Sequence, residues 1–191
     1  MKKKLLTIFV CGIMLIGLTG CGATKEESNK DTKEEKTTST AKKDTKVFEY
    51  IEKLDLDNSV DEITEMIGLE PKVEEESSYN KYTWTITDYT SLIALEQSSG
   101  SVYNIKVETS NDIMKNKKVD FSKYDEIQAA LKSGNSLTYD EFVEKVGNVQ
   151  GYLIEKSSIS TAYKWVSDEG AYLRATFNNT SKKCTFVSGR I

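Results

Sequence analysis

The chain has 191 residues, 26 basic and 30 acidic side chains, a formal net charge of −4, three cysteines and no histidine. Lack of histidine excludes Ser-His-Asp triads, Cys-His dyads and histidine-ligated metals, and the single cysteine that the N-terminal processing expected of this chain leaves free excludes a thiolate zinc site. The acid excess argues against nucleic acid and against an electrostatic membrane patch.

Residues 1–20 read as a processing signal. Lys2, Lys3 and Lys4 form a basic start, and an apolar run from Leu5 to Leu18 follows, broken by Thr7, Gly12 and Gly17. That run is shorter than the roughly 20 apolar residues a bilayer span needs. It stops at Leu18-Thr19-Gly20-Cys21, which resembles the bacterial lipobox. The resemblance implies cleavage before Cys21 and transfer of diacylglycerol to its thiol; an uncleaved anchor is the other reading. Two acyl chains suffice for stable attachment. The expected location is therefore the extracytoplasmic face of a cell membrane, with Cys21 as the lipid site. The signal carries three lysines and no acids, so its removal takes the net charge from −4 to −7. Cys11 would leave with the signal and Cys21 would be acylated. Cys184 would then have no disulfide partner and reads as a small buried hydrophobe.

Residues 21–46 contain the lipidated cysteine and a tether of Lys, Glu, Thr, Ser and Asp with alanine as its only apolar side chain type. Such a segment buries too little to offset its ordering entropy and is expected to be disordered. From Val47 onward, aromatic and aliphatic residues recur with regular spacing. A first unit is expected over 47–110, a polar, lysine-rich linker over 111–122, and a second unit over 123–191.

The two units match in order. Ser59-Val60-Asp61-Glu62-Ile63 aligns with Thr138-Tyr139-Asp140-Glu141-Phe142, and Gly68 aligns with Gly147. Each stretch opens with the S/T-x-x-E capping box and closes with a glycine suited to a left-handed helix stop. Tyr82-Thr83-Trp84 aligns with Tyr163-Lys164-Trp165, Leu92-Ile93-Ala94 with Leu173-Arg174-Ala175, and Ile105 with Phe186. Each unit is predicted to hold a first helix (Val47 to Leu54; Tyr124 to Leu131) and a short capped helix. Four strands with period-two alternation follow: 72–77, 80–87, 91–97 and 102–108, then 152–158, 161–166, 171–177 and 184–189. Turns at Asp88-Tyr89, Ser98-Ser99-Gly100, Asp168-Glu169-Gly170 and Asn178-Asn179-Thr180 are short enough to require antiparallel pairing. The expected class is α+β: two tandem repeats, each a helix-loop-helix packed on a four-stranded antiparallel sheet.

This order of elements resembles the β-lactamase inhibitor protein family, whose fold is a tandem repeat of such a unit. Outer-membrane assembly lipoproteins of the SmpA/OmlA type use a single similar unit. The resemblance spans about Val47 to Ile191. It departs from the inhibitor pattern in lacking internal disulfides and a Gly-Met pair before the second helix, where Asn58 and Leu137 precede the caps. The inhibitor presents an Asp-Tyr pair on the hairpin after the aromatic strand of its first repeat, and Asp88-Tyr89 stands at the corresponding place. Aspartate also suits a turn for its own sake.

Trp84 and Trp165 are read chiefly as core beneath the helices, and as binding anchors if the sheet is open above them. Alternation sets Tyr172, Arg174 and Thr176 opposite Leu173, Ala175 and Phe177, which makes the Tyr172–Arg174 pair the better interface candidate. Glu74-Glu75-Glu76 reads as a solvated run, and no Gly-rich phosphate loop or metal-ligand spacing appears. No catalysis, cofactor or metal is expected. The function expected is a non-catalytic protein-binding module held on the membrane. Its alternatives are an inhibitor of a β-lactamase-like or other hydrolase, or a structural or assembly factor of the cell envelope.

Overall fold

The computed structural model describes residues 45–191. Cys21, the expected signal and all but the last two residues of the expected tether lie outside the described residues. Helix α1 covers residues 45–53. It is followed by α2 (Val60–Ile67) and the strands β1 (Lys72–Glu75), β2 (Tyr79–Thr87), β3 (Thr90–Gln97) and β4 (Val102–Thr109). A 3-10 turn (Asn111–Met114) leads to α3 (Tyr124–Lys132) and α4 (Tyr139–Lys145). The chain ends in β5 (Tyr152–Ser157), β6 (Ser160–Val166), β7 (Tyr172–Asn178) and β8 (Cys184–Arg190). All eight strands form one antiparallel sheet in the order β1 to β8. The class is α+β.

Both capping boxes form. The Ser59 amide donates to Glu62 Oε2 at 2.8 Å and the Glu62 amide donates back to Ser59 Oγ at 3.3 Å. Thr138 and Glu141 repeat the exchange at 2.7 and 3.4 Å. Each box satisfies two amides that helix geometry leaves orphaned, and loss of an N-cap side chain of this kind costs about 1 kcal/mol. Helix α2 stops at Gly68 with φ 73°. Helix α4 stops one residue earlier relative to its box: Val146 is the cap, and Gly147 at φ 92° lets the Asn148 amide turn back to the Val143 carbonyl.

Strand pairing follows the aromatic pattern. Trp84 faces Leu92 and Tyr82 faces Ala94; Trp165 faces Leu173 and Tyr163 faces Ala175. The β3–β4 and β7–β8 pairs each carry a bulge, between Leu95 and Glu96 and between Thr176 and Phe177. One expected equivalence fails. Ala94 pairs Ile105, whereas Ala175 pairs Val187, so Val187 and not Phe186 is the counterpart of Ile105. The reason is turn length: Glu96 pairs Val102, but Phe177 pairs Cys184, one residue further along. Phe186 consequently lies on the other face, 55% exposed.

Most of the core lies between the helices and one sheet face, with fully buried Val166 joining it from the other. A first cluster gathers Ile51, Leu54, Ile63, Trp84, Leu92 and Ile105; a second gathers Ile127, Phe142, Trp165, Leu173, Phe177 and Cys184. Cys184 is fully buried and its thiol is pushed up to about 11 by burial. The first cluster also takes in Met114, Leu153 and Val166, so it reaches beyond residue 110. The expected linker over 111–122 is packed instead of free. Met114 is buried, the Asn116 amide donates to the Val166 carbonyl at 3.0 Å, and Val119 and Phe121 pack on the second cluster. Three register pairs, Asn104–Ser157, Ile105–Lys156 and Lys106–Glu155, join β4 to β5. Lys156 reinforces the junction by donating to the Glu52 and Leu54 carbonyls at 3.1 and 2.7 Å, which ties the C-terminal end of α1 to β5.

Candidate interaction face

Register and helix contacts define two sheet faces. Trp84 Nε1 donates to Thr64 Oγ1 of α2, and Lys156 reaches the end of α1, so these side chains mark the helix-covered face. Alternation then assigns Lys81, Thr83, Ile93, Leu95, Asn104, Lys106, Glu155, Lys164, Tyr172, Arg174, Thr176 and Phe186 to the opposite face. Most of this face carries no helix, but Tyr152, which pairs Lys164, packs on Phe48 of α1 at 4.5 Å, and Ile93, Asn104 and Val166 on it are buried. The 3-10 turn meets it at one end, where Lys164 Nζ donates to Asn111 Oδ1 at 2.6 Å.

A polar network crosses the middle of this face where β4 meets β5. Glu155 accepts from Asn104 Nδ2 at 2.8 Å through Oε1 and from Arg174 Nη2 at 2.5 Å through Oε2. Lys164 stands beside Arg174 in register and lies over the Tyr172 ring at 4.8 Å. Burial, with Arg174 as a second cause, pushes the Lys164 amine below its usual range. Toward the other edge, Lys72 and Lys81 both hold Glu74, at 2.8 and 2.9 Å, and their hydrogen bonds bring its carboxyl down to about 2. Arg174 Nε and Asn104 Oδ1 are buried without a hydrogen-bond partner.

Of the residues singled out in the sequence, Trp84 and Trp165 are not surface anchors. They are 0% and 1% exposed, and their ring nitrogens are satisfied inside, by Thr64 Oγ1 at 3.2 Å and the Val149 carbonyl at 2.7 Å. Tyr172 and Arg174 do reach the largely helix-free face, each partly exposed, while Leu173, Ala175 and Phe177 are buried behind them. Asp88 and Tyr89 form the two-residue tip of the β2–β3 hairpin, and Tyr89 is 71% exposed. Strand direction places that tip at the same end of the sheet as Tyr172. Four strand spacings from β3 to β7 separate the two by about 19 Å. The candidates therefore form two patches along one end.

Sequence reading missed Lys164, Glu155, Asn104 and Lys106. Alternation alone could assign each to a face of its own strand. Glu155 and Lys164 meet through the β5–β6–β7 hairpins, but Asn104 and Lys106 join them only by the β4–β5 pairing, which no short turn announces. Among the described residues no three His, Cys, Asp or Glu side chains are grouped to hold a metal ion, and no helix is long and apolar enough to cross a membrane. No protein-family model matches the chain, and no curated protein matches it either.

Proposed function

We propose that this chain is a lipid-anchored lipoprotein of the cell envelope, built from two tandem units resembling the β-lactamase inhibitor protein and acting as a non-catalytic protein-binding module. The duplication is supported by the paired capping boxes, by the Trp84–Leu92 and Trp165–Leu173 pairings, and by a bulge at the same step of each unit's last strand pair. The observation that carries the binding role is the sheet face turned away from most of the helices, with Phe186 exposed and Arg174 and Tyr172 partly exposed on it. Tyrosine and arginine are favoured where protein interfaces concentrate their energy.

Anchoring rests on the Leu18–Cys21 motif. Cys21→Ala is expected to abolish incorporation of labelled lipid and to leave the protein unprocessed or released from membranes; labelled lipid on that variant refutes the assignment. For the binding role, a photo-crosslinking residue at Tyr172 in the full chain is expected to capture a protein on native membranes, and the same probe at Asp125 on α3 is not. Equal capture at both positions, or none at Tyr172, refutes it.

The exposed Asp88-Tyr89 tip favours inhibition of a hydrolase as a second reading. That reading expects inhibition of a serine β-lactamase that is lost in Asp88→Ala, and it fails if a panel of such enzymes is unaffected by the unaltered protein.

A further inference from the structure

We propose that the largely helix-free sheet face receives an acidic segment of a protein partner, with one of its carboxylates seated at Lys164 and Arg174. This inference rests on the protein-binding reading and adds the chemistry of the partner.

Charge is sharply partitioned in the molecule. Residues 45–191 contain 17 basic and 24 acidic side chains. By register the largely helix-free face takes six of the cations, Lys72, Lys81, Lys106, Lys164, Arg174 and Arg190, but only three carboxylates, Glu74, Glu108 and Glu155. The remaining eleven cations stand against twenty-one acids elsewhere. A cationic face on an otherwise anionic body steers acidic partners toward it and repels approach from other sides.

The Lys164–Arg174–Glu155 group holds one of the three excess charges; Lys72 and Lys81 on one Glu74 hold the second and Arg190 the third. Lys106 is paired with Glu108, and Lys72 and Lys81 share Glu74. Lys164 makes no ion pair among the described residues; its amine rests on Asn111 Oδ1 and the Tyr172 ring. Glu155 engages Arg174 through Nη2 and divides its charge with Asn104, which leaves other guanidinium donors unused. Two neighbouring cations partly withdrawn from water, of which only Arg174 holds a carboxylate, favour a second carboxylate over hydration.

Geometry selects a polypeptide over a membrane surface. The side chains of Lys81, Lys106 and Arg174 are only 35%, 35% and 36% exposed, and Lys164 is half-buried. Lys72 and Arg190 at the sheet edges are exposed, Lys72 by 71%, but the seat at Lys164 is recessed from a flat headgroup layer. A glutamate or aspartate side chain projecting from an extended segment can reach it. Phe186, one register row from Arg174, offers that segment an apolar contact.

The test uses the full chain in neutral detergent and two fluorescein-labelled peptides, one a glutamate tract and the other a lysine tract of equal length. Binding is expected for the first and not for the second. Lys164→Gln keeps the polar reach to Asn111 and is expected to weaken glutamate-tract binding about tenfold, the worth of a charge-assisted hydrogen bond. Arg190→Gln, at an exposed strand end, should weaken it less, and Lys145→Gln on α4 should leave it unchanged. Equal loss in all three variants, or no binding of the glutamate tract, overturns the proposal. So does a case in which Lys164→Gln reduces sedimentation with phosphatidylglycerol vesicles but spares peptide binding, because the face would then read lipid. If the peptide fails while Tyr172 still crosslinks a protein on native membranes, the acidic chemistry is wrong and the binding role survives; if both fail, both fall.

Discussion

Trp165→Ala is expected to lower stability by about 3–5 kcal/mol, measured as a fall in the urea midpoint at constant slope. The ring is 1% exposed and packs on Phe142 at 4.9 Å, Tyr139 at 6.1 Å and Tyr163 at 6.3 Å between centroids. Its removal opens a void among large rings held by their own neighbours, so little of that volume closes. The Val149 carbonyl also loses its donor, and a buried acceptor left unpaired costs about 1–3 kcal/mol. Trp84→Ala incurs a comparable cavity cost, but the partner of its ring nitrogen, Thr64, is partly exposed and can turn to water. The phenylalanine variants separate the two contributions. Trp165→Phe should be more damaging than Trp84→Phe, and the reverse order would contradict the hydrogen-bond argument.

Gly151→Ala is expected to cost about 1–3 kcal/mol by overpacking. A Cβ at this position would stand 2.6 Å from Cε2 and Cζ2 of Trp165 and 3.0 Å from Cη2. The indole cannot easily withdraw, because its nitrogen is fixed on Val149 and Phe142 is stacked against it. Glycine is thus required here by the approach of a ring. The cost should largely vanish in a Trp165→Phe background, since phenylalanine lacks the outer indole atoms that clash. A double-mutant cycle reads this directly as a coupling between positions 151 and 165. Additive losses would show that the glycine serves some other need.

Features written in neighbouring residues were legible. The capping boxes at Ser59 and Thr138, the alternation that buries Leu173 and Ala175 but not Arg174, and the turns at Asp88-Tyr89 and Asp168-Glu169-Gly170 all follow from local chemistry. Features set by distant pairing were not. The extra residue in the β7–β8 turn moves Phe186 to the opposite face, and a single step suffices because side chains alternate. The lysines at 115, 117 and 118 gave residues 111–122 the look of a solvated linker. They flank Ile113, Met114 and Val119, whose anchoring depends on Val166 and neighbouring core residues far along the chain. The addition of Asn104 to the Lys164–Arg174–Glu155 grouping was hidden for the same reason. Arg174 and Lys164 are hairpin neighbours, but Glu155 meets Asn104 only because β4 and β5 join across 51 residues.

The fastening of α1 has a mechanical consequence. This helix comes first in the described chain, yet its terminal carbonyls are gripped by Lys156 of β5 and its Phe48 ring rests 4.5 Å from Tyr152. Tension applied at residue 45 would therefore bypass the edge strands and enter the sheet near its centre. The grip of Lys156, two hydrogen bonds, stands in series with the three-pair junction of β4 with β5 and would yield before it.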